Sequence, residues 1–163
     1  MHMADALVSP PVATGMAVAS LAVGAYSIFK IKKENKPENI PVMGVMGAFV
    51  FATQMVNFTI PGTGSSGHLC GGLLLSALIG PYGGFLSMMA ILLLQCLLFA
   101  DGGLMAYGCN VWNMAFYACF FGYFCIYKPI LRKNPSKKKI LIASILGSVL
   151  SLQLGAFSVT LET

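Results

Sequence analysis

Residues 69–99 read LCGGLLLSALIGPYGGFLSMMAILLLQCLLF, two apolar runs (69–79 and 85–99) parted by Gly80-Pro81-Tyr82-Gly83. Thirty consecutive positions without a charge do not fit the wetted surface of a soluble globule, and Gly and Pro mark where one apolar helix ends and the next begins. Extending outward, further apolar stretches lie at 12–29, 42–60, 104–127 and 140–161. Across 163 residues the hydrophobic fraction is 57% and the charged fraction 9%, against about a quarter charged in soluble domains. The composition excludes disordered, collagen-like and disulfide-stapled chains. It predicts an all-α integral membrane protein, a single domain over 1–163 built as a compact bundle of about six transmembrane helices. The run 69–79 is too short to span alone, at ~16 Å for 1.5 Å per residue.

The ten basic residues that give the formal net charge of +5 fall in two runs, Lys30 to Lys36 and Lys128 to Lys139. Residues 37–127 hold no Lys or Arg. A nucleic-acid reader spreads its basic side chains over a folded face, so the pattern excludes that class and instead marks two cytoplasmic loops, 30–41 and 128–139. The even number of runs between these loops agrees, and it places residues 1–9, 61–68 and 100–103 together on the outer side. Loop 61–68, rich in Gly and Ser, is expected to re-enter the bundle, since irregular backbone at that depth needs protein or a wet cavity around it. No basic segment precedes the first apolar run and Asp5 comes early, so no signal peptide is expected. The five cysteines form no CxxC pair and read as buried small hydrophobes; the ten methionines show no ligand spacing and read as packing.

The outer segments contain His2 and His68, the two histidines of the chain. A bulky second residue should leave Met1 in place. The free amine of Met1, the peptide nitrogen of His2 and its imidazole then close a five- and a six-membered chelate ring on one metal ion, with the fourth position open to His68. Singly, each histidine is more simply a surface or hydrogen-bonding residue; together on one side they make a ligand set. Four nitrogens in a plane suit Ni(II), Co(II) follows if the geometry relaxes, and zinc or magnesium would favour other donors. Such ligands must be deprotonated, with ordinary pKa values of about 7.7–8.0 for the amine and about 6.5 for imidazole, so binding should fail as pH falls. Asp5, Asn57, Ser66 and Asp101 are candidates for orienting the ligands, although Asp101 equally suits an N-cap for the helix that starts at Leu104. Gln54, Asn57, Gln95, Asn110 and Asn113 sit in apolar runs and are expected to hydrogen-bond between helices.

Several segments resemble the NikM/CbiM family: Met1-His2-Met3-Ala4-Asp5, residues 44–58 (GVMGAFVFATQMVNF), Gly64-Ser65-Ser66-Gly67-His68-Leu69, Leu98-Phe99-Ala100-Asp101-Gly102-Gly103 and Cys109-Asn110-Val111-Trp112-Asn113-Met114. Members are substrate-capturing subunits of energy-coupling-factor ABC importers for nickel and cobalt, and the resemblance covers essentially the whole chain. It implies metal binding by Met1, His2 and His68, a plasma-membrane location with the N-terminus outside, and no enzymatic activity of its own. It also implies partners: a membrane coupling subunit, two cytoplasmic ATPase subunits and a small accessory membrane subunit. No Walker motif is present in this chain, in keeping with hydrolysis by a partner. Gly44, Ala48 and Ala52 form a small-residue ridge suited to the coupling subunit, and Ala13 and Ala17 a second; internal packing explains such ridges equally well. A cobalt-specific component serving cobalamin biosynthesis is the alternative, ahead of a passive channel or a membrane enzyme. Two departures stand out. Ala4-Asp5-Ala6 replaces the Pro-Asp-Gly common in that family, and the chain stops at Leu161-Glu162-Thr163, where members continue through a further helix, which marks it as truncated.

Overall fold

The computed structural model describes residues 2–34, 36–62 and 65–163, with backbone alone at 65 and 66. Among these residues lie six helices: α1 (Pro10–Glu34), α2 (Asn39–Gln54), α3 (Gly72–Ile79), α4 (Pro81–Phe99), α5 (Tyr107–Leu131) and α6 (Lys137–Glu162). Three short strands accompany them, β1 (His2–Met3), β2 (Asn57–Ile60) and β3 (Ser65–His68).

The helix boundaries follow from local chemistry. Gly80, at φ +82°, breaks the run between α3 and α4, and Pro81 opens α4 where its missing N–H costs nothing. Ala100 adopts a left-handed conformation after Phe99 and the Asp101 N–H folds back onto the Gln95 carbonyl (3.1 Å), which ends α4. Ser136 caps α6 by accepting the Lys139 N–H. The basic residues do not form wholly irregular loops as expected. Lys30, Lys32 and Lys33 extend the end of α1, where cations favour the helix dipole, and Lys137–Lys139 already belong to α6.

Four helices, α1, α4, α5 and α6, are long and apolar enough to cross a membrane. α3, with eight residues, covers only about 12 Å. The expected helix over 42–60 stops at Gln54, because residues 57–60 are drawn off into β2. The loop expected to re-enter over 61–68 is the far half of a hairpin: β3 pairs antiparallel with β2 on one edge and with β1 on the other.

Side chains are arranged for lipid outside and polarity within. Leu21, Phe29, Leu97 and Leu161 face outward, whereas Ser20, Ser27, Gln54, Gln95, Asn110 and Asn113 are buried. Small residues let the backbones approach. In α6, Ala143, Gly147, Ser151, Gly155 and Ser158 line the side against α5, with the Ser151 hydroxyl donating to the Tyr117 carbonyl (3.1 Å) and the Ser158 hydroxyl 2.6 Å from the Tyr117 hydroxyl. Residues 112–127 of α5 take the wider π-helical winding, which brings side chains four apart almost above one another. Trp112 and Phe116 stack at 4.0 Å there, and Phe120 and Phe124 continue the column.

α1 meets α5 at Gly108, whose carbonyl accepts the Ser20 hydroxyl (2.9 Å). A Cβ at Gly108 would stand 2.4 Å from the Ala17 nitrogen, whereas one at Gly47 would meet nothing within 4 Å. Gly108→Val should therefore destabilise the protein by about 1–3 kcal/mol or more, while Gly47→Ala should leave stability unchanged or raise it. Thermal unfolding of both variants in detergent micelles checks the contrast.

Candidate metal centre

The site forms where the three strands meet the end of α4 and the start of α5. β1 is two residues long, and its register sets His2 opposite Ser66 and Met3 opposite Ser65. β2 sets Asn57 opposite His68 and Thr59 opposite Ser66. The hairpin thus carries His68 to the chain start, and the His2 and His68 rings lie 4.8 Å apart between centroids at 51°. Their convergence rests on strand pairing.

His2 is 3% exposed. Asp101 Oδ1 stands 2.7 Å from His2 Nδ1, a short approach made at an oblique angle, and the Asn57 side-chain amide donates to Asp101 Oδ2 (2.8 Å). His68 Nδ1 is 2.8 Å from the Leu69 carbonyl; if that contact is a hydrogen bond the proton sits on Nδ1, leaving Nε2 as the ring's acceptor. Burial lowers the His68 pKa to about 4, so its ring is neutral at physiological pH. Among the described residues, three buried imidazole nitrogens, His2 Nδ1, His2 Nε2 and His68 Nε2, have no well-directed hydrogen-bond partner. A buried polar atom left in that state costs about 1–3 kcal/mol. Each neutral ring offers one lone pair, so the two histidines supply two imidazole donors that suit a transition-metal cation.

Of the two roles open to Asp101, orienting a ligand or capping the next helix, the structure leaves the first. Asp101 does not cap α5, which begins at Tyr107 after Ala106. Asp101 instead faces His2, and Asp5 Oδ1 accepts the N–H of Ala106, just ahead of α5, at 3.0 Å. Asn57, expected mainly as an interhelical residue, lies on β2 and steadies Asp101. Met1 and the side chain of Ser66 fall outside the described residues, so the terminal amine and that hydroxyl are not placed.

The remaining amides divide. Gln54 and Gln95 donate only to the sulfurs of Met88 (3.7 Å) and Met55 (4.0 Å). Asn113 donates to Glu162 at 2.6 Å and reaches Met3 Sδ at 3.7 Å. Asn110 bonds the backbone of Met3, a link between helix and N-terminal strand that sequence reading missed. Its one signal was a polar residue in an apolar run. Gly102, at φ +93°, and Gly103 close the floor: a Cβ at Gly102 would stand 2.9 Å from Asn110 Nδ2, and one at Gly103 would strike the Asp5 side chain. The small-residue ridges also divide. Ala13 and Ala17 pack inward against the α5 region and present no free docking face, a correction to the expectation for them. Gly44, Ala48 and Ala52 remain exposed, and Gly44 and Ala48 line an open groove of about 460 Å³ between α2 and α4.

Removing the acceptor of the Ala106 N–H by Asp5→Ala should lower stability by about 1–3 kcal/mol. Asp101→Ala should have a smaller effect on thermal unfolding, and the two melting curves measured side by side decide whether the roles are assigned correctly.

Comparison with known proteins places the chain in a family. Residues 2–163 match the family model described as CbiM, the cobalt uptake substrate-specific transmembrane region. A putative fused nickel transport protein NikMN of Archaeoglobus fulgidus is 39% identical over the whole chain, which covers 53% of that relative. A probable fused nickel transport protein LarMN of Lactiplantibacillus plantarum is 37% identical over 90% of the chain and 45% of its own length. The cobalt transport protein CbiM of Acetoanaerobium sticklandii is 34% identical over 89% of the chain and 60% of its own length. The chain thus spans about half the length of the curated relatives it matches. The crystal structure of a truncated transition metal transporter superposes with a TM-score of 0.89 at 33% identity, over 99% of this chain and 73% of that one. The strand-held histidine pair therefore sits in a multi-pass membrane protein that belongs to the CbiM family of nickel and cobalt transport components.

Proposed function

We propose that this chain is the substrate-binding subunit of an energy-coupling-factor ABC importer, capturing Ni(II), or Co(II) as the close alternative, at the outer end of the bundle. The observation that carries the reading is the pair of buried imidazoles, His2 and His68, brought within 4.8 Å of each other at one end of the bundle, with His2 Nε2 and His68 Nε2 lacking hydrogen-bond partners among the described residues. The amine of Met1 and the His2 peptide nitrogen complete the donor set, the chelate closing through His2 Nδ1. That ring nitrogen has Asp101 beside it in the metal-free chain, so the incoming ion takes Nδ1 over from Asp101, which Asn57 holds next to the site. Nickel leads because four nitrogens favour a planar site and because the relatives at 39% and 37% identity carry nickel in their names.

The proposed location is the plasma membrane with the N-terminus outside. The basic ends of α1 and α5 and the start of α6 support that orientation by the positive-inside rule. The ion-loaded chain docks through the α2 face at Gly44, Ala48 and Ala52 on a membrane coupling subunit, whose two ATPase partners hydrolyse ATP; a small accessory membrane subunit completes the assembly. A following inward tilt releases the ion. The exposed groove beside Gly44 and Ala48 supports the docking assignment.

Nickel titration with elemental analysis of four purified proteins tests the reading: native, one residue inserted between Met1 and His2, His2→Ala and His68→Ala. All three variants should bind at least about 100-fold more weakly, beyond the 10–100-fold typical of lost outer partners. The insertion keeps both histidines and breaks the chelate rings. Native-like binding by it would overturn the terminal chelate, and native-like binding by both alanine variants would overturn the site.

A further inference from the structure

β1 has two edges and two residues, too little to hold itself in place. On one edge it pairs with β3. On the other it meets no strand but a helix side chain. Asn110, in the first turn of α5 and 3% exposed, offers both groups that a neighbouring strand would offer. Its Oδ1 accepts the Met3 N–H at 2.7 Å, and its Nδ2 donates to the Met3 carbonyl at 3.3 Å. The Gly103 N–H reaches the same carbonyl at 2.8 Å. Met3 itself is fully buried. Its peptide is thus tied to α5 and to the turn after α4.

We infer that Asn110 is the positioning residue of the metal site, a strand surrogate that fixes the Met3 peptide and through it the line along which His2 and the amino terminus reach His68. Only one soft backbone torsion, ψ of His2, separates the fixed Met3 nitrogen from the His2 side chain, so an error at Met3 moves the imidazole directly. Asn110 does not compete for the ion, because both ends of its amide are engaged by Met3. A leucine would fill similar space, strand the buried Met3 N–H and leave the Met3 carbonyl with the Gly103 N–H alone. The inference rests on the metal-capture reading for its consequence, but the tether is a property of the metal-free chain.

Three measurements on the full chain in detergent test it: nickel titration, the absorption spectrum of bound nickel, and amide hydrogen exchange of the N-terminal peptide without metal. Asn110→Leu should weaken nickel binding about 30-fold, the worth of two hydrogen bonds at about 1 kcal/mol each. It should also alter the nickel spectrum and speed exchange at Met3 while the amides of α4 and α6 keep their protection. Asn110→Asp, which retains the acceptor for the Met3 N–H, should stay within about fivefold of native. Unchanged exchange at Met3 in Asn110→Leu would overturn the inference, as would equal losses in the two variants. A native chain that binds neither nickel nor cobalt, with Met3 exchange still accelerated in Asn110→Leu, would remove the metal reading and leave the tether standing.

Discussion

Every backbone N–H and C=O at the end of a membrane bundle must find a partner in the protein or in water, and the first residues of this chain find theirs in the protein. β1 is bonded by β3 on one side and by Asn110 and Gly103 on the other. That double engagement brings an imidazole from the chain start against one from the middle of the sequence. The carboxylates are arranged around it, Asp5 holding the start of α5 and Asp101 standing beside His2. The site is thus the place where separately satisfied backbone edges converge, and its histidine nitrogens are what remains unsatisfied.

The bundle was legible in the sequence because bilayer physics writes it in coarse letters. Apolar runs near 85–99 and 140–161 became α4 and α6 within a few residues, and Gly80-Pro81 parted α3 from α4 as its dihedral preferences require. The pair His2 and His68 was legible through topology alone. The hairpin was not. Asn57-Phe58-Thr59-Ile60 continues the apolar run of α2 with no break in hydropathy, and periodicity does not separate a short apolar strand from the end of a helix. What decides the matter is pairing with Ser65–His68, a partner several residues away. The capping alternative for Asp101 failed for a related reason: a carboxylate just ahead of an apolar run looks like a cap, but the carboxylate that meets the backbone ahead of α5 is Asp5, from about a hundred positions earlier in the chain.

Polarity and size divide the helices more clearly than hydropathy does. The inward faces of α1 and α6 carry Ala, Gly and Ser, and their outward faces carry Val, Leu, Ile and Phe. Without a hydrophobic drive between helices in lipid, close backbone approach and interhelical hydroxyl bonds take over. Ser20 to the Gly108 carbonyl and Ser151 to the Tyr117 carbonyl are such bonds. The same small residues read differently by location: at Ala17 the neighbouring backbone leaves no room, whereas at Gly44 there is open space.

The closeness of Gly108 to Ala17 has a mechanical consequence. With backbone against backbone there, no cushion of side chains remains in which α1 could slide past α5, and α5 holds Met3 through Asn110. The first helix, the helix beneath the histidines and the leading strand must therefore travel as one piece. Any freedom to loosen the grip on a cargo resides on the hairpin side, where His68 arrives on a strand whose far neighbour, β2, is largely exposed.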